Sequence, residues 1–144
     1  MADDPSIPDA SRLFRRIPLD SHFIVWDQTV GAYRLSTQAF KNLQENPPAF
    51  SVHLECVLQD AGLATQSVLK DPEHYGLVAL TAALVRAHQQ AVEKHPEPGD
   101  PAHGHVVGHK PRGVMKAFVS AVTQGNQINW VVPPPNWPWP PPSA

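Results

Sequence analysis

One segment of the chain passes directly from a strand pattern through a basic loop into a helix pattern. It covers residues 101–116, with the sequence PAHGHVVGHKPRGVMK. Residues 102–108 predict a strand, and the apolar spacing over 114–122 predicts an amphipathic helix. Residues 128–132 are rich in β-branched and aromatic side chains and predict a second strand. The sequence therefore predicts a β-loop-α-β unit over 102–132, whose two strands are parallel neighbours.

The rest of the chain alternates between short strand and helix patterns. We predict strands at 22–27 and 49–53, a hairpin partner for the first of them at 32–36, and helices at 37–43 and 54–61. Residues 11–18 are ambiguous. The helix at 37–43 has to end before Pro47 and Pro48, since two prolines cannot continue it.

Residues 71–91 allow two interpretations. Asp71, Pro72 and Glu73 form a good helix start, because they combine an N-cap acid, a first-turn proline and a carboxylate on the helix dipole. Apolar residues at helical spacing favour one long helix from there. The alternative is a buried strand over 76–80 followed by a shorter helix.

These elements predict an α+β protein, a single small domain with a mixed sheet and the C-terminal β-loop-α-β unit. A length of 144 residues and a hydrophobic content of 42% suit one soluble domain. We divide the chain into a flexible acidic arm (1–10), a globular α+β domain (11–132) and a Pro/Trp-rich tail (133–144).

Composition limits the cellular compartments and the classes of partner that we expect for this protein. Cys56 is the only cysteine, which excludes an intramolecular disulfide and points to a reducing compartment. The N-terminus has no apolar signal segment, and no apolar run approaches the ~18 residues of a membrane span. We expect a cytoplasmic protein with no membrane contact. Its formal net charge of −2 argues against nucleic acid as a partner.

Charge is unevenly distributed along the chain. All 13 acidic residues lie within 1–100, whereas three basic residues follow them. The loop at 108–113 concentrates this positive charge between two glycines, ahead of a helix start. It is not a nucleotide-binding P-loop, because Val114 and Met115 stand where Lys and Ser/Thr belong. We predict a site for a phosphate-bearing small molecule at His109, Lys110, Arg112 and Gly113.

The histidines of the same segment are the candidate catalytic residues. His103 and His105 share one face of the predicted strand and would act as general acid or base. His109 would join them as a third zinc ligand if the strand ran straight that far. Gly108 is expected to end the strand and turn His109 away, so we assign neither a metal nor a cofactor.

Basic, hydroxyl and acidic residues follow one another in the first half of the chain. They are Arg12, Arg15, Arg16, Ser36, Thr37 and Glu55. This order resembles the arginine–serine–glutamate pattern of ADP-ribosyltransferases. The resemblance implies that the Arg and Ser residues help to bind NAD and that the Glu orients the reacting ribose.

A Cys–His pair is the minimum set for an activated thiolate, and His53 precedes Cys56 by three residues. The apolar neighbours of Cys56 favour a core cysteine instead.

The tail contains seven of the 17 prolines and two interleaved tryptophans. Such a sequence favours polyproline II and recognition by docking. We expect Trp137 and Trp139 to be docking anchors, either on the chain's own core, on another protein or on a second copy.

Two functions follow from these patterns. The first is a small binding or adaptor protein that joins a larger assembly through its tail and its basic loop. The alternative is a small enzyme or nucleotide-binding domain that acts on a phosphate-bearing ligand at 103–116.

Overall fold

The computed structural model describes residues 3–43 and 46–141. Within them the strands are β1 (Arg12–Pro18), β2 (Ile24–Asp27), β3 (Ala32–Leu35), β4 (Ala49–Leu54), β5 (Tyr75–Thr81), β6 (Ala91–Lys94), β7 (His103–Val107), β8 (Thr123–Gln124) and β9 (Gln127–Ile128). The α-helices are α1 (Glu55–Asp60), α2 (Ala82–Ala87) and α3 (Arg112–Ala121), with 3₁₀ turns at Thr37–Phe40 and Thr65–Val68.

Five strands form the central sheet, in the order β5-β1-β4-β7-β6. Every neighbouring pair in it is antiparallel, and β2–β3 and β8–β9 form two small antiparallel hairpins. The single small α+β domain is confirmed. The sheet is antiparallel throughout the described residues and is not mixed.

The parallel crossover predicted over 102–132 is wrong. β7 lies between β4 and β6, so both of its edges are occupied and no strand after α3 can pair with it. Instead the chain turns back at Gly125, whose φ is +61°, and forms the short β8–β9 hairpin. Beyond that hairpin, Val132 makes one isolated antiparallel bridge to Leu77 at the edge of β5.

The long helix favoured over 71–91 is also wrong, and the alternative of a strand followed by a shorter helix is confirmed. β5 pairs with β1 along its whole length, and this tertiary pairing overrides the helical spacing of the leucines. Thr81 then starts α2, its side chain accepting a hydrogen bond from the Leu84 amide at 3.2 Å. Asp71 begins a turn and not a helix, its carbonyl accepting from the His74 amide.

Other local predictions are confirmed with small shifts of their ends. The hairpin at 22–36, the strand at 49–53, the helix at 54–61 and the strand at 102–108 are all present, and the short helix at 37–43 is a 3₁₀ turn. The ambiguous residues 11–18 form β1, which lies inside the sheet, between β5 and β4. β6 was not predicted.

The two faces of the sheet differ in chemistry. One face packs against α3, α2 and the β2–β3 hairpin in the main core, where Phe50, Phe118 and Val106 are fully buried. The other face holds a smaller apolar cluster around Phe14 and Leu77. Beside that cluster the second face becomes polar, and the candidate functional site lies there.

The two ends of the described chain lie against the domain. Ile7 is fully buried, and Arg86 on α2 forms ion pairs with Asp3 and Asp9 at 3.1 and 2.7 Å. None of the helices in the described ranges has the length and apolar character needed to cross a membrane.

The described part of the tail folds back onto the β2–β3 hairpin. The ring centroids of Trp137 and Trp139 lie 5.5 and 5.7 Å from that of Tyr33. The Tyr33 hydroxyl donates to the carbonyl of Pro140 at 3.0 Å. Residues 142–144, at the end of the predicted tail, lie outside the described residues.

Candidate metal centre and arginine pocket

Strand register brings four histidines to one face of the sheet. His53 on β4 pairs with His103 on β7, and partners in register project to the same face. His105 follows two residues after His103 and therefore shares that face. His95 comes directly after β6, and its amide donates to the His103 carbonyl at 2.9 Å, which places His95 beside His103.

Three of these imidazoles offer converging nitrogen atoms. One ring nitrogen each from His95, His103 and His105 lies within 4.8 Å of the other two. His95 is exposed, His103 is buried and His105 is 9% exposed, so the cluster is anchored in the sheet and open to solvent on one side. Such a donor set suits zinc or another imidazole-binding transition metal, with an open position for water.

A tight turn between β6 and β7 supplies the carboxylates around the cluster. Glu97 and Asp100 exchange backbone hydrogen bonds across Pro98 and Gly99. Gly99 has a φ of +73°, the left-handed conformation that the third residue of such a turn requires. Both carboxylates are thereby held over the histidine face.

His103 has a fixed tautomer. Its Nδ1 atom lies 2.8 Å from the carbonyl oxygen of His95 and 3.0 Å from Oε1 of Glu97. Because a carbonyl can only accept, Nδ1 carries the proton and the lone pair of the neutral ring is on Nε2. Metal-binding histidines are oriented in this way by a carbonyl or carboxylate on the second nitrogen.

His95 and His105 stack on each other, with ring centroids 4.2 Å apart and planes 20° apart. Nδ1 of His105 also lies 3.8 Å from Oε1 of Glu93. Imidazoles bind a metal in their neutral form. Ligand nitrogens around one zinc ion lie about 3.3 Å apart, so the rings have to close by up to about 1.5 Å.

His53 forms a pair with Asp100. Its Nε2 atom lies 2.9 Å from Oδ2 of the carboxylate, and the residue is 3% exposed. Burial lowers the pKa of His53 even though Asp100 acts in the opposite direction. The ring centroids of His53 and His103 are 5.9 Å apart, so His53 adjoins the cluster on its β1 side.

The sheet splits beside His53. β1 and β4 share only the pairs Leu13–Leu54 and Phe14–His53, while β1 continues along β5 and β4 continues along β7. In the gap, Arg15 donates to the carbonyls of Ala39 at 3.0 Å and Ser51 at 2.9 Å. The guanidinium thus binds backbone carbonyls at the place where β1 and β4 no longer pair with each other.

A pocket of about 160 Å³ opens at this split, and we call it the arginine pocket. It is lined by Arg15, Arg16, Pro18, Phe23, Ser51, His53 and Tyr75. Burial, and secondarily the neighbouring Arg16, lowers the pKa of Arg15 to about 10, so it remains charged at neutral pH. Two guanidinium groups and no carboxylate in the lining make this pocket suitable for an anionic group.

The residues predicted as an anion site have different surroundings in the structure. Arg112 is exposed at the start of α3 and Gly113 faces open space. His109 is exposed, and its carbonyl accepts from the side chain of Gln90 at 2.9 Å. β7 ends before Gly108, whose φ is +144°, and the metal cluster contains His95 in the position that the sequence suggested for His109.

Lys110 is buried and its amine turns back toward the sheet. It donates to the carbonyls of Val106 and Gly108, both at 3.0 Å, and lies 4.9 Å from the ring centroid of Phe50. Burial, with a smaller contribution from Arg15, lowers the pKa of Lys110 to about 7. The amine therefore supports the end of β7 and is 7% exposed.

The residues that resemble the ADP-ribosyltransferase pattern are distributed over several places. Arg12 pairs with Glu55 at 2.8 Å, whereas Arg15 and Arg16 line the arginine pocket. Ser36 and Thr37 line a separate cavity. NAD-dependent chemistry through these residues stays a prediction.

His53 and Cys56, the Cys–His alternative to a core cysteine, have separate partners. His53 belongs to β4 and pairs with Asp100. The Cys56 amide donates a hydrogen bond to Oγ of Ser11 at 3.2 Å, and the Cys56 side chain packs against the main core.

The sequence indicated His103 and His105 but not which residues lie beside them. These are His53 and Arg16, which the sequence suggested for other sites, and His95, Glu97 and Asp100. One local signal was available, since the Glu-Pro-Gly-Asp sequence at 97–100 is a tight-turn sequence between two short β-rich segments. Comparisons of the chain with protein-family models, with curated proteins and with solved structures gave no match, so the site is interpreted from its own geometry.

Proposed function

We propose that this protein is a metal-dependent hydrolase that acts on a substrate with an anionic group. The observation that carries the proposal is the convergence of the His95, His103 and His105 nitrogens within 4.8 Å. A metal ion held by three imidazoles keeps a position for water and lowers the pKa of that water toward neutrality.

The arginine pocket supplies the second half of the proposal. His53 both lines the pocket and adjoins His103, so an anion held by Arg16 lies next to the metal centre. Guanidinium groups stabilise the negative charge that develops when a phosphoryl or acyl group is attacked. We assign substrate binding to Arg15 and Arg16 and proton transfer to His53, whose Nδ1 carries the lone pair of the neutral ring while Nε2 donates to Asp100.

Metal binding is tested first, by calorimetric titration of the metal-free protein with Zn²⁺. We expect one site per chain and a higher melting temperature with zinc, because a ligand that binds only the folded state stabilises it. His95→Ala should weaken zinc binding by about tenfold or more without unfolding the protein, since His95 is exposed. His109→Ala removes an exposed histidine that is not part of the cluster and should bind zinc like the parent. Equal binding by the parent and His95→Ala would refute the site.

Hydrolysis is tested with the zinc-loaded protein and two p-nitrophenyl substrates, a phosphodiester and a neutral acetate ester. We expect turnover of the phosphodiester that chelation abolishes and His95→Ala reduces. Arg16→Gln should raise KM for the phosphodiester and leave the neutral ester unaffected. Turnover that survives both chelation and His95→Ala would exclude this mechanism.

A second candidate function is assembly through the tail, as the proline and tryptophan pattern predicts. It is favoured by an apolar cavity of about 380 Å³ in which Trp139 faces the β2–β3 hairpin residues Trp26 and Tyr33. The hairpin surface that holds the chain's own tail would accept the tail of a second copy. Sedimentation of the full chain over a wide concentration range tests this, because exchange produces dimers that a chain ending at residue 132 cannot form.

A further inference from the structure

We propose that a groove between the end of β3 and α3 is a second ligand site, which binds a small molecule carrying two or more phosphate groups. This inference is independent of the proposed hydrolase function. The groove has a volume of about 460 Å³ and is lined by Arg34, Leu35, Ser36, Thr37, Arg112, Lys116 and Val119. We call it the basic groove.

The positive charge of the basic groove is concentrated on α3. Arg112 and Lys116 are four positions apart and therefore project from the same side of the helix. Like charges at this spacing destabilise a helix, and α3 contains no acidic residue to offset them. Since the sequence has no Asp or Glu after Asp100, the helix has no acidic neighbour along the chain either.

Arg112 also occupies an unfavourable place for a cation. It is the first residue of α3, where the backbone amides and the helix dipole are already positive. Pro111 is the N-cap and provides no side-chain hydrogen bond to the first turn. An anion would stabilise both the N-terminus of α3 and its two cationic side chains. Among the described residues, α3 itself contains no acidic side chain that could do this.

β3 and the turn after it provide the opposite wall. Arg34 donates through Nε to Oδ2 of Asp27 at 3.2 Å and through Nη1 to the Leu35 carbonyl at 3.4 Å. These contacts neutralise part of its charge but orient the guanidinium, and Nη2 makes no hydrogen bond within the described residues. The Ser36 hydroxyl donates to the His22 carbonyl and accepts from the Gln38 amide, so it holds the turn in place.

The lining selects the class of ligand. Two arginines can each bind a phosphate group through paired donors, and a lysine adds a point charge. Even after Asp27 offsets one of them, two cationic groups remain on α3, which matches a ligand of at least two negative charges. The overall charge of −2 opposes the broad contact that nucleic acid makes, and therefore favours a small ligand.

The experiment is a calorimetric titration with inorganic pyrophosphate in the presence of EDTA, which removes any contribution from the histidine metal centre. We expect saturable binding by the parent protein. The double variant Arg112→Gln/Lys116→Gln should lose affinity by about tenfold or more, as expected for charge-assisted hydrogen bonds. Because both residues are exposed, and because the substitution relieves a like-charge pair, the variant should melt at the same temperature as the parent or slightly higher.

Lys70→Gln is the matched control, since it removes one exposed positive charge away from the groove and should bind pyrophosphate as the parent does. Absence of saturable binding by the parent, or an equal loss in Lys70→Gln, would overturn the proposal. Tighter binding of a short DNA or RNA oligonucleotide than of pyrophosphate, lost in the double variant, would overturn the assignment to a small molecule.

Discussion

Nε2 of His53 and Oδ2 of Asp100 lie 2.9 Å apart and join strand β4 to the turn between β6 and β7. The pair links residues 47 positions apart in the sequence and sits between the histidine cluster and the arginine pocket. The pair therefore connects the histidine cluster to the arginine pocket. Its removal should change both the stability of the fold and the function of the proposed site.

Asp100→Asn should lower the free energy of unfolding by about 1.5–3 kcal/mol, the range for a hydrogen bond to a charged group. The amide can still accept from His53, but it lacks the charge that stabilises the donor. Urea denaturation at neutral pH measures the change. Asp60→Asn is the control, because Asp60 is an exposed residue at the end of α1 and should change stability by less than about 0.5 kcal/mol. Equal stability of the two variants would show that the pair contributes nothing.

Glu97→Gln should weaken zinc binding by about tenfold while changing stability little. Glu97 is half exposed, and its Oε1 atom lies 3.0 Å from Nδ1 of His103. It therefore contacts the proposed metal ligand His103 without being a metal ligand itself. Loss of the carboxylate removes one of the two partners that orient the ring and keeps the His95 carbonyl that fixes its tautomer. Zinc titration measures the effect, with Glu73→Gln as an exposed control. An unchanged zinc affinity in Glu97→Gln would show that His103 is oriented without it.

Lys110 should make stability depend on pH in the alkaline range. Its amine has a pKa of about 7 in the folded chain and an ordinary value of 10.5. Between these values the unfolded chain carries a proton that the folded chain does not, so stability rises with pH, by up to about 1.4 kcal/mol per unit. Below about pH 7 both states are protonated and this contribution becomes constant.

The measurement compares urea unfolding of the parent and Lys110→Met from about pH 7 to 10. The difference between them should grow with pH in favour of the parent. Lys70→Met, which removes an exposed lysine, should follow the parent at every pH. Parallel curves for the parent and Lys110→Met would indicate that the buried amine keeps its proton.

Two glycines should respond to alanine with opposite signs. A Cβ at Gly104 would lie 2.8 Å from the Glu93 carbonyl oxygen and 3.0 Å from the Leu54 side chain, so Gly104→Ala forces β6 away from β7. We expect a loss of about 1–3 kcal/mol, and weaker zinc binding because His95 follows β6. Gly113 in α3 faces open space, and Gly113→Ala should stabilise by up to about 1 kcal/mol. The melting temperatures of both variants test these expectations. A Gly104→Ala variant that melts at the parent's temperature would contradict the close packing of Gly104 against Glu93 and Leu54.

How much of this site could be read from the sequence depends on the range of the interactions. The alternation that places His103 and His105 on one face is local, and it was predicted correctly. The approach of His53 and His95 depends on which strands flank β7, and that order arises from long-range antiparallel pairing. A segment such as 75–81 shows the same limit, because the leucine spacing fits a helix while pairing with β1 makes it a strand.

The charge distribution along the sequence indicated a basic region after Asp100, but not which residues of that region contact one another. The basic segment after Asp100 was recognised, yet burial turned Lys110 inward and left Arg112 to meet Lys116 and Arg34 in the basic groove. The direction of a side chain at the end of a strand depends on the packing beneath it, here on Phe50. Sequence periodicity does not contain that information.

The tail provides the last prediction. Trp137 contacts the rings of Tyr33, Trp130 and Trp139 at centroid distances of 5.5, 5.5 and 5.3 Å, so it joins the tail to the β2–β3 hairpin and to Trp130. Trp137→Ala should destabilise the chain by about 2 kcal/mol, since it removes both buried area and three ring contacts. Val30→Ala, at an exposed apolar residue of the β2–β3 turn, serves as the control. Thermal unfolding followed by near-ultraviolet circular dichroism measures both. A Trp137→Ala variant that melts with the parent would mean that the tail does not stabilise its own domain, and would favour docking on another chain.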